Sequence, residues 1–326
     1  MKKIILGIES TAHTLGIGIV DSDGNILANE KSVYTSEKSG MIPSELAEHH
    51  VKEYEKVITS ALNKANLSIK DIDVIAYSRG PGIGHALKIG AFIAASIKEI
   101  YNKPVVGVNH CISHLTIGEL TTGLKNPVLL YASGANTQVI AYDEKKYRIF
   151  GETLDIGVGN FIDSFARAAG LGFPGGPKIE ELAKKGKKLI ELPYSVKGMD
   201  VSFSGIYTFL VKKLNEEKLE DLAYSLQEYV FSMLVEVTER AMAHLNRDSV
   251  ILGGGVALNS RLQEMLRLMA EQRNAKFAVP RRDVLPDNGV MIAWQGWLEY
   301  STRGEDKEII IKPYERTDEV IVTWKD

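Results

Sequence analysis

KIILGIESTAHTLGIGIV, residues 3–20, reads as two strands folded about a polar turn. Lys3 to Ile8 alternates toward a strand, Glu9 to Thr14 is the turn, and Leu15 to Val20 is a second strand that passes through Asp23-Gly24 into a third. The same grammar returns in PVLLYASGANTQVIAY, residues 127–142. There Pro127 to Ala132 is the strand, Ser133 to Thr137 the turn and Gln138 to Tyr142 the return, with Glu144 and Lys145 at the next turn. Two halves that open alike predict a duplicated lobe, although the likeness is one of pattern and not of sequence identity.

Helical patterns follow each hairpin. Leu46, His50, Tyr54, Val57, Ala61 and Leu62 share a helix face introduced by Pro43 and Ser44, with His50 in or beside a core. Ile72 to Tyr77 is a buried-strand candidate that feeds Gly80-Pro81-Gly82-Ile83-Gly84 and a helix through about Ile100. In the second half, Leu222, Leu226, Val230, Leu234, Val237 and Ala241 mark a long helix, followed by a strand at Val250 to Leu252 and a helix from Asn259 to Gln272. Strands alternating with helices predict an α/β protein with a mostly parallel or mixed sheet in each lobe. The expected boundaries are 1–123 for the first lobe, with 287–326 packing back on it, and 124–286 for the second. Residues 151–205 are glycine-rich and predicted to be an irregular insertion, either functional or a plain surface loop.

A chain of 326 residues fits two compact lobes with a cleft between them. The formal net charge of −3 does not attract polyanions, so a nucleic-acid partner requires a local basic patch. Lys184, Lys185, Lys187, Lys188, Arg281 and Arg282 are candidates, though each also suits an ordinary solvated face. The single cysteine, Cys111, rules out an intramolecular disulfide and a cysteine-based zinc cluster, and it fits a reducing cytoplasm. Glu9 breaks the apolar start too early for a signal peptide, and the apolar run Ile89 to Ile97 is about half a membrane span. A cytoplasmic protein with no membrane association is expected.

The run Asn109-His110-Cys111-Ile112-Ser113-His114 follows the short strand candidate Pro104 to Val108. If Asn109 caps a helix, the i, i+4 spacing puts both imidazoles on one face near a strand's carboxyl end, where α/β proteins bind ligands. A metal site and a pair of buried, hydrogen-bonded histidines both satisfy that spacing. Asp287-Asn288-Gly289 opens the helical pattern Val290 to Tyr300, and Asp287 reads either as its N-cap or as a metal ligand. Tyr131 ends a strand and is either a core aromatic or, as a phenolate, a ligand suited to iron. Glu9 ends the first strand at the mouth of the supposed cleft, either as an ordinary exposed acid or as a catalytic group. Small-residue turns at Ser10 to Thr14, Ser133-Gly134-Ala135 and Gly253-Gly254-Gly255 each leave backbone N–H groups free to approach phosphate. Their arrangement resembles the phosphate and adenosine elements of the actin, hexokinase and Hsp70-like (ASKHA) nucleotide-binding superfamily, which implies two duplicated RNase H-like lobes about a central cleft.

Seven motifs then occur in one order: Gly7-Ile8-Glu9-Ser10-Thr11-Ala12, Pro43 to His50 ending in Ala47-Glu48-His49-His50, Gly80-Pro81-Gly82, Asn109-His110-x3-His114, Ser133-Gly134-x-Asn136-Thr137, Phe173-Pro174-Gly175-Gly176-Pro177 and Asp287-Asn288-Gly289. Over almost its full length the chain resembles the TsaD family of tRNA threonylcarbamoyladenosine synthases, in its archaeal and eukaryotic branch. The resemblance implies one divalent metal ion, iron in preference to zinc, held by His110, His114, Tyr131 and Asp287. It implies that Tyr131, Ala132, Ser133, Gly134, Ala135, Asp163, Gly176, Glu180 and Asn259 contact ATP or a threonylcarbamoyl-adenylate. It further implies transfer of the threonylcarbamoyl group to the N6 amine of the tRNA adenosine 3′ to the anticodon. The implied setting is a KEOPS-type assembly with a small protein kinase and two small accessory subunits, supplied by an adenylate-forming enzyme.

Some positions depart from the family pattern. Ala135 stands where a second glycine is usual, which would carry about 1–2 kcal/mol of strain if that turn needs positive φ. Ser10 replaces a glycine common in archaeal relatives, and with the sequence ending at Asp326 the expectation is a single-domain member without the kinase domain that some relatives carry as a fusion. Two other functions compete. A metalloprotease would need H-E-x-x-H, whereas Cys111 follows His110 here. An ATP-binding switch without transfer chemistry would pair Mg²⁺ with phosphate and would not need two histidine ligands.

Overall fold

Period-2 alternation along the first hairpin decides which sheet face meets which helix. The computed structural model describes residues 2–35 and 42–325. Its first lobe runs β1 (Ile4–Glu9), β2 (Thr14–Asp21), β3 (Ile26–Val33), α1 (Pro43–Ala65), β4 (Val74–Gly80), α2 (Gly84–Tyr101) and β5 (Val105–Asn109), followed by α3 (His110–Thr122). The strand order is β3-β2-β1-β4-β5, with β2 antiparallel and β4 parallel to the central β1. Leu6 and Ile8 point to the core shared with Val57 and Ala61 of α1 and Ile93, Ala94 and Ile97 of α2. Ile5 points the other way.

The second lobe repeats this plan. It contains β6 (Val128–Ala132), β7 (Thr137–Asp143), β8 (Lys146–Glu152), α4 (Val158–Ala168), α5 (Gly176–Ala183), the two-residue strands β9 (Val196–Lys197) and β10 (Asp200–Val201), α6 (Ser204–Lys213), α7 (Leu219–His244), β11 (Ser249–Gly253), α8 (Ser260–Gln272) and β12 (Lys276–Ala278). Its main sheet is ordered β12-β11-β6-β7-β8, again with a central strand flanked by one antiparallel and one parallel neighbour. The duplication predicted from the two hairpins is therefore present in topology. Helix α9 (Gly289–Arg303) returns to the first lobe, where Val290, Met291, Ile292 and Ala293 pack with Ile5, Val74, Ala76 and Val106.

Two differences from expectation have local causes. The insertion at 151–205 is not irregular throughout, because Val158, Phe161, Ile162, Phe165 and Ala166 form the buried face of α4 and Ile179 and Ala183 that of α5. Flanking glycines mask that helical spacing in the sequence. Tyr54 lies on the exposed side of α1, whereas His50 is completely buried. The carboxyl-terminal tail also divides its contacts between the lobes. The Tyr77 hydroxyl accepts from the N–H of Ile310 at 3.0 Å and donates to its carbonyl at 2.9 Å, while Val320, Val322 and Trp324 pack on the second lobe beside Tyr131, Tyr142 and Tyr147.

Helix α3 sits where the lobes meet. Ile117 contributes to the core under α9, and Cys111, Ile112 and Leu115 contribute to the one containing Leu129, Tyr131 and Ile251. That double burial fixes the helix carrying both candidate histidines. Among the described residues no helix is long and apolar enough to cross a membrane.

Candidate metal centre and nucleotide cleft

The start of α3 is set by Asn109, whose side-chain oxygen accepts from the N–H of Cys111 at 3.0 Å and of Ile112 at 3.2 Å. This is the cap anticipated from the sequence, and the first helical residue is His110. The i, i+4 geometry brings the imidazoles of His110 and His114 to 4.9 Å between ring centroids. Asp287 joins them from the far end of the chain: its Oδ1 lies 3.2 Å from His114 Nε2 and 3.5 Å from His110 Nε2. The three ligand atoms lie within 4.8 Å of one another. Tyr131 adds its hydroxyl, 2.9 Å from His110 Nε2. Four groups from three segments thus converge.

Asp287 does not cap α9. Asn288 performs that role, accepting from the N–H of Met291 at 3.0 Å, so the neighbouring carboxylate faces the histidines. Close packing places it there: a Cβ on Gly289 would lie 2.0 Å from the nitrogen of Gly18, so only glycine lets the start of α9 rest on β2. Burial would raise the Asp287 carboxyl, but the His110 charge and hydrogen bonds from both imidazoles hold it well below its usual range. Burial opposes charge on His110 too, yet Tyr131, Glu9 and Asp287 together raise it. Burial lowers His114 and raises Tyr131, which keeps its phenol proton in this arrangement. Cys111 stays apart, its thiol pushed by burial up to about 11.

Two imidazoles, a carboxylate and a phenol with converging donor atoms suit a divalent transition metal. A half-buried carboxylate held ionised beside two buried imidazoles is a ready ligand set, so the residues present fit the group. The ion identity does not follow from this set, since both zinc and iron accept it.

Beside this cluster opens a cleft of about 610 Å³ between the lobes. Its lining includes His110, Tyr131, Ser133, Gly134, Ala135, Asp163, Gly176, Glu180, Asn259 and Asp287. Ala132 is fully buried in β6 and does not line it, and His114 lies behind His110. Glu9, expected at the cleft mouth, is instead completely buried, because the His110 imidazole at the start of α3 and the Thr11 turn cover its carboxylate. It exposes no surface to the cleft and is absent from its lining.

The turn at 133–136 is closed by the Ser133 N–H donating to the Asn136 carbonyl at 2.9 Å. The described non-glycine residues with positive φ are five asparagines, Glu144 and Lys145, so Ala135 carries no left-handed strain. Helix α4 rests directly on this turn, where a Cβ on Gly157 would lie 2.3 Å from the Gly134 carbonyl oxygen. Further along α4, Asp163 accepts from the N–H of Gly175 at 2.7 Å, and burial raises its carboxyl. Glu180 accepts from the N–H of Ser260 at 3.0 Å. Asn259 caps α8 and donates to Gln227 at 2.6 Å. Gln227 was not anticipated, although a glutamine on the apolar face of α7 is a signal that could have found it. Of the basic candidates, Lys184, Lys188 and Arg281 are engaged with Glu181, Glu217 and Asp283.

Two duplicated five-stranded lobes closing on a cleft define an ASKHA-type fold. The solved structure of T. kodakarensis HypF shares it, with a TM-score of 0.64 over 91% of this chain and 47% of that one at 14% identity. A family model described as "TsaD: tRNA N6-adenosine threonylcarbamoyltransferase" matches residues 24–294, and the tRNA N6-adenosine threonylcarbamoyltransferase of Thermococcus sibiricus is 55% identical over 98% of this chain and all of its own length. The chain belongs to the TsaD family. A relative from Methanocaldococcus jannaschii, described as a bifunctional tRNA threonylcarbamoyladenosine biosynthesis protein, is 52% identical over 98% of this chain, which spans 60% of that protein.

Proposed function

We propose that this enzyme transfers the threonylcarbamoyl group from threonylcarbamoyl-AMP to the N6 amine of the tRNA adenosine 3′ to the anticodon. The observation that carries the reading is a metal-ligand cluster, His110, His114, Asp287 and Tyr131, opening directly into a nucleotide-sized cleft between ASKHA lobes. The amine nitrogen forms a bond to the carbamoyl carbon, the bond between that carbon and the bridging phosphate oxygen breaks, AMP leaves with that oxygen, and the nitrogen gives up a proton.

Each part of the cleft has a task in this scheme. Backbone at Ser133 to Ala135 approaches the phosphate, where glycine and alanine leave room for it. Asp163 and Glu180, on α4 and α5, face the ribose and adenine side. Asn259 holds the opposite wall through its bond to Gln227. A divalent ion held by the cluster, with iron proposed over zinc on the family resemblance, would supply positive charge against which the leaving phosphate develops its negative charge. Closure of the lobes around the adenylate keeps water from the activated carbonyl.

The bifunctional description of the M. jannaschii relative and its additional length support a linked partner activity. We assign this chain to a KEOPS-type assembly with a small protein kinase and two small subunits, in the cytoplasm where tRNA is modified. An adenylate-forming enzyme supplies the donor, and the tRNA surface is shared among the subunits.

Reconstitution with tRNA, threonine, bicarbonate, ATP, the adenylate-forming enzyme and the partners tests the whole reading. Mass spectrometry of digested tRNA is expected to show threonylcarbamoyladenosine with this protein, and a collapse in yield for His110→Ala and His114→Ala. Normal yield from both folded variants would remove the metal cluster from the mechanism.

A further inference from the structure

We propose that Glu9 is a positioning residue of the metal centre: its carboxylate holds the Nδ1–H of His110 and so presents Nε2 to the ion. This rests on the metal reading given above. Glu9 Oε2 lies 3.0 Å from His110 Nδ1, and both side chains are buried. The other carboxylate oxygen, Oε1, accepts from the backbone N–H of Thr11 at 2.7 Å and from the Thr11 hydroxyl. That hydroxyl also lies 3.3 Å from Nδ1, but its single hydrogen is already given to Glu9.

Every group facing Nδ1 is therefore an acceptor. If Nδ1 lacked a hydrogen, its lone pair would stand against a buried carboxylate with no water to screen the repulsion. Nδ1 consequently keeps its hydrogen, and Nε2 is the nitrogen that changes partner. On that side stand the Tyr131 hydroxyl at 2.9 Å and Asp287 Oδ1 at 3.5 Å, the other members of the cluster. A carboxylate behind a ligand imidazole fixes its tautomer and ring angle and strengthens it as a donor.

The sheet makes the carboxylate rigid. Glu9 is the last residue of β1 and pairs with Gly16, and the N–H of Ser10 donates to the buried Ser78 hydroxyl at 3.0 Å. The turn from Glu9 to Thr11 is thus a brace connecting the first sheet to the first residue of α3. It also explains why a glutamate stands, completely buried, at the end of a strand where sequence alone suggests an exposed acid.

The test measures Zn²⁺ affinity by competition with a chromophoric chelator in wild type, Glu9→Gln, Glu9→Ala and, as a control, His114→Ala. Long-range ¹⁵N–¹H spectra of the zinc-loaded wild type report which His110 nitrogen carries hydrogen. We expect Nδ1–H and metallated Nε2 in wild type, and a loss of affinity of about 10–100-fold in Glu9→Ala. Glu9→Gln should lose less, since its amide oxygen still accepts from Nδ1–H. Metallation at Nδ1, or wild-type affinity in both Glu9 variants while His114→Ala loses zinc, would overturn the positioning role and leave the metal reading intact. A wild type that binds no zinc or iron would overturn both. Should Glu9→Ala fail to fold, the glutamine variant and the wild-type spectrum still decide.

Discussion

Asp287 and Asn288 divide two tasks between adjacent residues. Asn288 is fully buried, caps α9 and donates to the Val284 carbonyl at 3.0 Å and the Pro286 carbonyl at 2.8 Å. Asn288→Ala is expected to lower stability by about 1–2 kcal/mol, measured by urea unfolding. Asp287→Asn should instead leave the unfolding midpoint nearly unchanged while abolishing tight zinc binding. Retention of zinc by Asp287→Asn would contradict its assignment as a ligand. His50 supplies a pH dependence at the same scale. Burial, with the charge of nearby His49, lowers its pKa to about 4 from 6.5. The folded state therefore holds it neutral, and the unfolded chain binds the proton first as pH falls. Its contribution is fully present above pH 6.5 and is lost between there and 4, on the order of 3 kcal/mol. Unfolding titrations at pH 7.5 and 4.5 should show a smaller acid loss for His50→Gln than for wild type; equal losses would exclude His50 as the source.

At the scale of elements, the site depends on where α3 and α9 are seated. α3 needs its Asn109 cap and its burial on both sides, while α9 needs glycine contacts close enough for backbone to meet backbone. A methyl group on Gly289 would meet Gly18 and Ile17 backbone, none of which can yield locally. Gly289→Ala is expected to cost about 3 kcal/mol or more and to weaken zinc binding in the same variant, because Asp287 moves with the helix start. Thermal unfolding together with zinc titration checks this. A stable variant that has lost only metal would show that α9 can shift without the sheet, contrary to the packing described. The hairpins and the i, i+4 histidines were legible from local patterns, since strand alternation and helix periodicity are properties of neighbouring residues. Helix α4 was missed because glycines on either side outweighed its apolar spacing. Glu9 was misplaced because nothing near it in the chain reveals that the His110 imidazole will cover it.

At the scale of the molecule, the tail from residue 304 onward straps the lobes together. Arg79 pairs with Glu315 at 3.1 Å, and the N–H of Lys312 donates to the Arg79 carbonyl at 2.7 Å on the first lobe. Arg316 then reaches Glu152 at 3.2 Å, and Lys325 meets Glu119 at 2.7 Å and Asn126 at 2.9 Å beside Tyr142 and Tyr147. Removing residues 317–326 should cost about 3 kcal/mol or more through lost burial of Val320 and Trp324, seen as a lower urea midpoint. An unchanged midpoint would mean the strap adds nothing to lobe cohesion.

The order of elements, the repeated hairpin and the candidate histidines were determined by the sequence itself, because each arises from contacts within a few residues. The partnership of those histidines with Asp287, more than 170 residues away, was implied by the family resemblance but by no local pattern, and it is tertiary structure that brings it about and that buries Glu9 behind them. The physical reason is the same in both cases. Donor atoms become a site only where two sheets close on one helix, and no local preference encodes that closure.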